Sequence, residues 1–285
     1  MMNILVLVKP VPDPEKYNEI TIDPETKRIV RQDVAAVIDP VSKNALEAAL
    51  VLREEANAKA GENVATVTAL GMTPESNRDK FIECLAMGAD QAYLLSDPAY
   101  GGADTFATSY VLAEGAKAAA KDLSIDGFDL ILAGNESADG ATSHVPVQVA
   151  EWLELPHATR ASHVEIGSVE EGFVVKVTKK TEDALLDMEA AAPAVVSVIR
   201  EINKPRHISA MGIVKARKKP LTIWSNEDLQ LEESRIGLCG SPTKAGALIM
   251  PDVSRASKDL VDSDAEAEDV AKAILSLARK AGVTV

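Results

Sequence analysis

Leu130-Ile131-Leu132-Ala133-Gly134-Asn135-Glu136-Ser137-Ala138-Asp139-Gly140-Ala141-Thr142-Ser143-His144-Val145 is the stretch on which the fold turns. Its four opening apolar residues show no polar alternation, which reads as a strand buried on both faces of a helix-covered parallel sheet. A loop of small and polar residues follows, leading into a helix that carries Val149, Trp152 and Leu153. Small residues let a ligand approach the backbone. Ser137, Thr142 and Ser143 add hydroxyl donors, and a helix N-terminus adds its positive end. Open α/β sheets bind ligands at the carboxyl ends of their strands, which is where this loop falls. Glu136 and Asp139 disfavour a bare phosphate and suit ribose hydroxyls or backbone capping. The same pattern also fits an ordinary βα loop with a capping residue.

Outward toward the N-terminus, residues 4–8, 64–70 and 92–95 are further short apolar runs, and helical patterns separate them. Asp39 is placed to cap a helix with Pro40 at its first position, continuing through Leu46, Ala49, Leu50 and Leu52. That Asp39-Pro40-Val41-Ser42 start lies at the same sheet edge as the loop, although on propensity alone a routine cap is the favoured reading. Thr73-Pro74-Glu75 opens a second helix ending near Gly88, and Asp104 starts a third that reaches about Lys121. Residues 19–30 read as a small hairpin around Asp23-Pro24-Glu25-Thr26. Alternating strands and helices of this kind make an α/β domain with helical crossovers.

Outward toward the C-terminus, residues 165–177 and 185–190 read as antiparallel strands, and 194–199 as another buried run. Residues 221–262 have little periodicity, and such a segment is expected to be an arm lying on something else. A last helix is expected over about 264–281, with Val270, Ile274, Leu277 and Ala278 on its apolar face. The expected division is an α/β domain over 1–220 and an arm with its helix over 221–285.

Several chemistries are excluded or weakened. After the first strand come Lys9-Pro10-Val11-Pro12-Asp13-Pro14, and three prolines remove the N–H donors that a glycine-rich phosphate turn needs. No Walker motif occurs. His144, His157, His163 and His207 lack metal-ligand spacing, and Ser137 and Ser143 lack the nucleophile elbow of hydrolases. No catalytic residue and no metal site is expected. Cys84 and Cys239 suit reduced thiols in a cytoplasmic protein. The opening apolar run is too short to span a membrane, so no membrane insertion is expected. A net charge of −14 argues against nucleic acid and anionic membranes as partners.

Against that acidity stands one basic stretch. Arg200, Lys204, Arg206, Lys215, Arg217, Lys218 and Lys219 fall within twenty positions, opposed only by Glu201. A solvated face is the ordinary reading of a charge run. Complementary charge also steers acidic partner proteins, and Ile208, Met211 and Ile213 lie where they would anchor such a contact.

Together these features resemble the beta (small) subunit of electron transfer flavoproteins across nearly the whole chain. The motifs are Val6-Leu7-Val8-Lys9, Asp39-Pro40, Leu85-Ala86-Met87-Gly88-Ala89-Asp90, the Gly134 loop, Pro193-Ala194-Val195-Val196, Asn203-Lys204-Pro205-Arg206 and Lys215-Ala216-Arg217-Lys218-Lys219. The resemblance implies a parallel-sheet nucleotide-binding domain, adenine nucleotide alpha hydrolase-like, with antiparallel additions, a C-terminal arm and a helix. It implies a heterodimer with an alpha subunit carrying its own FAD, and here either AMP or a second FAD.

By motif, that nucleotide would meet Leu7, Val8, Lys9, Asp39, Pro40, Val41, Ser42 and Met72, together with Gly134 through Val145 as quoted above. The family's recognition loop falls on Arg206-His207-Ile208-Ser209-Ala210-Met211-Gly212-Ile213-Val214-Lys215 and would dock an acyl-CoA-type or other flavin dehydrogenase. Asp139-Gly140-Ala141-Thr142-Ser143-His144-Val145-Pro146 is similar to the form found in electron-bifurcating members, which use NADH as donor. Gly237-Leu238-Cys239-Gly240-Ser241-Pro242-Thr243 resembles their arm. Glu136, Ala141 and His144 depart from that form and alter hydrogen bonding around the nucleotide. A stand-alone nucleotide-binding regulator of similar fold is the competing class, and it would need neither arm nor basic loop. A nucleotide hydrolase would want a phosphate motif where this chain has prolines.

Overall fold

The first strand divides its side chains between two cores. In the computed structural model, β1 (Met2–Leu7) sends Met2, Ile4 and Val6 into one apolar cluster and Leu5 and Leu7 into another. A strand buried on both faces has no polar side to show, hence the unbroken apolar run from Ile4 to Leu7. The structure describes residues 1–19, 21–22, 29–30, 35–169, 172–244 and 264–283. They fall into two units, Met1–Ala245 and Gly246–Val285.

After β1 the proline-rich turn forms β2 (Pro10–Pro12), which pairs antiparallel with β5 (Ala36–Ile38). Proline tolerates such a two-stranded ribbon because only one edge of it needs N–H donors. Between them β3 (Thr21–Ile22) pairs with β4 (Ile29–Val30), as the expected hairpin requires; its turn lies outside the described residues. Then come α1 (Pro40–Ala60), β6 (Ala65–Met72), α2 (Arg78–Met87), β7 (Gln91–Leu95), α3 (Thr105–Asp122), β8 (Leu130–Gly134) and α4 (Val145–Leu153). Asp39 and Asp104 cap α1 and α3 through their carboxylates, and Gly61 ends α1 in the left-handed conformation. A 3-10 turn, Glu75–Asn77, precedes α2, so that helix begins later than its Thr73-Pro74 signal suggested.

The stretch expected as one strand over 165–177 is two. β9 (His157–Val169) and β10 (Gly172–Lys180) pair antiparallel, with Gly172 at φ 123° where a side chain would be strained. β11 (Leu185–Ala191) pairs with β10, and β12 (Ala194–Val198) returns to the sheet beside β8. The basic stretch, expected as a loop, contains α5 (Ala210–Ala216). The poorly periodic segment also contributes to the sheet: β13 (Leu221–Trp224) pairs parallel with β7, followed by α6 (Asn226–Leu229). Trp224 stacks on Tyr93 with ring centroids 4.7 Å apart. The second unit contains α7 (Ala267–Lys280), on which Ile274, Leu275 and Leu277 are exposed.

The resulting nine-stranded sheet has the order β11-β10-β9-β12-β8-β1-β6-β7-β13. Helices α1 and α2 supply Leu46, Leu50, Phe81 and Leu85 to the first core; α3 and α4 supply Tyr110, Val111 and Val149 to the second. This is an α/β fold with a mostly parallel central sheet. Cys84 is fully buried, and burial pushes its thiol up to about 12; Cys239 is exposed. Strand order reverses at β1: β6 and β7 lie on one side of it, β8 and β12 on the other. Such a switch point opens a crevice at the carboxyl ends of the two strands that flank it, here β1 and β8.

Candidate functional site at the switch point

Three segments far apart in sequence meet at that crevice. β1 delivers Lys9, α1 delivers its N-terminus, and β8 delivers the loop that begins at Gly134. At Gly134 the backbones of β8 and α1 approach closely. A Cβ built on this glycine would lie 3.1 Å from both Ser42 N and Val41 C, against the first turn of α1.

Asp39 ties two of these segments together. Its Oδ2 accepts from the Val41 and Ser42 amides at 3.0 Å, capping α1, while Oδ1 accepts from the Ala138 amide at 2.8 Å. Burial pushes the Asp39 carboxyl up, against the three amides and the Lys9 charge, which pull it down. The third segment joins through Lys9. Its ammonium donates to Ser137 Oγ (3.0 Å) and Asp139 Oδ1 (2.6 Å), and its amide donates to Ser42 Oγ (3.3 Å). Leu7 and Val8, by contrast, are buried in the two cores, so their side chains hold the strand in place.

Asn135, at the start of the loop, ties its far end to β12. Ser197 donates to Asn135 Oδ1 (3.1 Å), and Asn135 Nδ2 donates to Ser143 Oγ (3.1 Å), which donates in turn to Glu136 (3.2 Å). Ala141 and Ser143 take positive φ values, 46° and 57°, bending the chain sharply into α4. His144 Nδ1 bonds the Thr142 carbonyl, and its side chain does not cap the helix. Glu136, Ala138, Gly140, Ala141, Thr142 and His144 are exposed. Met72 ends the neighbouring strand β6, half-buried against the second core. The arrangement offers an ammonium, hydroxyls, two carboxylates and the amide end of α4 along one rim. That donor set suits a ligand with both ribose and phosphate groups.

The basic stretch is partly consumed within the chain. Arg206 donates from Nε (2.8 Å) and Nη2 (3.0 Å) to Glu47, and from Nη1 (2.7 Å) to Glu54, both on α1. Lys219 donates to the Ala89 and Leu85 carbonyls, at 2.6 and 3.2 Å, where α2 ends. Burial lowers the Lys219 pKa. Ile208 packs against the first core. Met211, Ile213 and Val214 are exposed, as are His207, Ser209, Ala210, Lys215, Arg217 and Lys218, while Gly212 is half-buried.

Known proteins answer to the same pattern. Residues 26–229 match the electron transfer flavoprotein domain family. The chain is 40% identical over 258 residues to an electron transfer flavoprotein subunit beta of Thermoanaerobacterium thermosaccharolyticum, covering 90% of this chain and 91% of that protein. The chain belongs to the electron transfer flavoprotein beta-subunit family. Its relatives in that family include the Caffeyl-CoA reductase-Etf complex subunit CarD of Acetobacterium woodii, 42% identical over 243 residues, or 85% of this chain and 86% of that one. A subunit beta from Mycobacterium bovis is 34% identical over 258 residues, 90% of each chain. As an electron transfer flavoprotein subunit, the chain is an electron-transfer protein. Among the described residues, no helix is long and apolar enough to cross a membrane, and no His, Cys, Asp and Glu cluster is arranged to hold a metal ion.

Sequence reasoning missed Ser197 and the Glu47–Arg206–Glu54 contact. Ser197 sits inside an apolar strand, where its one polar atom is the signal that was available. Glu47 and Glu54 lie on a helix face that otherwise reads as solvated.

Proposed function

We propose that the chain is the beta subunit of a heterodimeric electron transfer flavoprotein, holding FAD at the β1/β8 crevice and docking a flavin dehydrogenase through the segment around α5. The observation that carries this reading is the convergence of Lys9, the Asp39–Ser42 turn and the Gly134 loop at the switch point of the sheet. When bound, the flavin supplies the redox chemistry. The chain's own residues would bind and orient the nucleotide: Lys9 and the N-terminus of α4 its phosphates, Glu136 or Asp139 its ribose. The exposed Met211 and Val214, rimmed by Lys215, Arg217 and Lys218, suit an acidic partner surface with an apolar centre.

Glu136, Ala141 and His144 stand in the loop where they bear on the choice between FAD and AMP, so the test counts both. The chain is co-expressed with an electron transfer flavoprotein alpha subunit, and flavin and AMP are measured per heterodimer. Two flavins are expected. One flavin with one AMP would assign AMP to this crevice instead, and a failure to form any heterodimer would remove the subunit reading.

A further inference from the structure

The basic stretch contains two kinds of cation that its sequence does not distinguish. Lys215, Arg217 and Lys218 are exposed on or just beyond α5, whereas the Arg206 guanidinium is spread across two carboxylates of α1. Glu47 is itself buried, its side chain 9% exposed, so that pair is screened little by water. The Arg206 amide donates to Glu47 Oε2 as well, at 3.0 Å. One turn before Glu47, Asn44 donates to the Asn203 carbonyl (2.8 Å), and Asn203 Nδ2 returns a bond to the Asn44 carbonyl (2.9 Å). A guanidinium neutralised in this way has little field left for a partner to feel. It is a fastening, and α1 is what it fastens to.

The same helix begins at Asp39, which also receives the Ala138 amide from the crevice loop. Helix α1 thus touches the candidate nucleotide site at its N-cap and the basic segment along its flank. We infer that Arg206 is a positioning residue: through Glu47 and Glu54 it splints the α5 segment to α1, presenting Met211 and Val214 at a fixed place relative to the crevice, and it does not itself contact the docked partner.

This inference rests on the docking role proposed above, and its test separates the two. The heterodimer is mixed with a purified butyryl-CoA dehydrogenase as probe, and the interflavin electron-transfer rate is followed over a range of salt. Hydrogen exchange of residues 207–217 is measured in the same preparations.

Arg206→Met is expected to weaken association about tenfold while leaving the salt slope of the association rate unchanged. It should speed exchange of the α5 amides but not those of β8. The pair Glu47→Gln with Glu54→Gln should reproduce both effects, and adding Arg206→Met to that pair should cost nothing more. Arg206→Lys should rescue only part of the loss, since an ammonium lacks the fork that grips two carboxylates. Lys215→Gln should lower both the association rate and its salt slope.

A reduced salt slope in Arg206→Met with silent glutamate variants would make Arg206 a contact residue and overturn the inference. Unchanged exchange over 207–217 would also overturn it, whatever the electron-transfer result. If Met211→Ala and Lys215→Gln leave electron transfer untouched while exchange still responds to Arg206, the docking role falls and the splint stands.

Discussion

At the scale of single residues, Gly134 and Asp39 do different work at the same junction. Gly134 sets how close β8 comes to the first turn of α1, and Asp39 then bonds across the gap. Gly134→Ala must push Val41 and Ser42 back by a few tenths of an ångström, an overpacking cost of about 1–3 kcal/mol. We expect the urea midpoint to fall accordingly and the affinity for FAD, the nucleotide proposed for the crevice, to fall with it. Gly61→Ala is the control. Its Cβ meets open space and only the left-handed φ of 74° opposes it, so stability should drop by about 1 kcal/mol with FAD affinity intact. Equal loss of affinity in both variants would mean that the junction has no special role. The candidate residues at this junction were legible because short polar residues after a strand and before a helix have few structural alternatives. The role of Arg206 was not legible, because its partners lie 159 and 152 positions away and a cation looks the same in sequence whether it is spent or free.

At the scale of elements, α1 owes its start to Asp39 and Pro40, its core face to Leu46, Ala49 and Leu50, and its outer flank to Glu47 and Glu54. The Arg206 guanidinium holds the Glu54 carboxyl below its ordinary value. A depressed carboxylate contributes stability that is present above its unfolded pKa, about 4.3 for glutamate, and is lost as pH falls through the lower folded value. Glu54 is half-exposed, so the effect is discounted for screening and should be local. Amide exchange over residues 207–217 should therefore accelerate below about pH 4.3 beyond its intrinsic pH dependence. The acceleration should be smaller in Glu54→Gln, and an identical profile in both proteins would count against this coupling. The elements that sequence reading found are those with long periodic faces or continuous apolar runs. β13 escaped because four half-buried residues, Leu221–Trp224, contain too little pattern to separate a sheet edge from a loop. The two strands β9 and β10 were merged because only two residues separate them in sequence and the break is signalled by little more than Gly172.

At the scale of the whole molecule, the sheet ends at β11 with no strand among the described residues pairing to its outer edge. Leu185, Leu186 and Met188 are exposed on it, at 65%, 48% and 40%. Exposed apolar edge strands invite pairing with other chains, and natural proteins guard them with charge or cover them. Produced without a partner, the chain should self-associate at high concentration in sedimentation. Met188→Lys should reduce that association while leaving the circular dichroism spectrum unchanged. Monodisperse behaviour of the unmodified chain alone would show that the edge needs no cover.

The scarcity of aromatic residues has a practical consequence. There are two tryptophans, and they occupy different surroundings. Trp224 lies at the β13 edge of the sheet against Tyr93, while Trp152 ends α4 among Phe106, Tyr110 and the Arg235 guanidinium, which sits 5.1 Å from its ring centre. Trp152 thus lies on the helix that opens at the crevice, and Trp224 lies three strands away from β1 in the sheet. Emission of the Trp224→Phe variant, in which Trp152 is the remaining tryptophan, should change on titration with FAD more than that of Trp152→Phe, and equal responses would count against the placement. A difference between the two variants would give a label-free optical readout of occupancy.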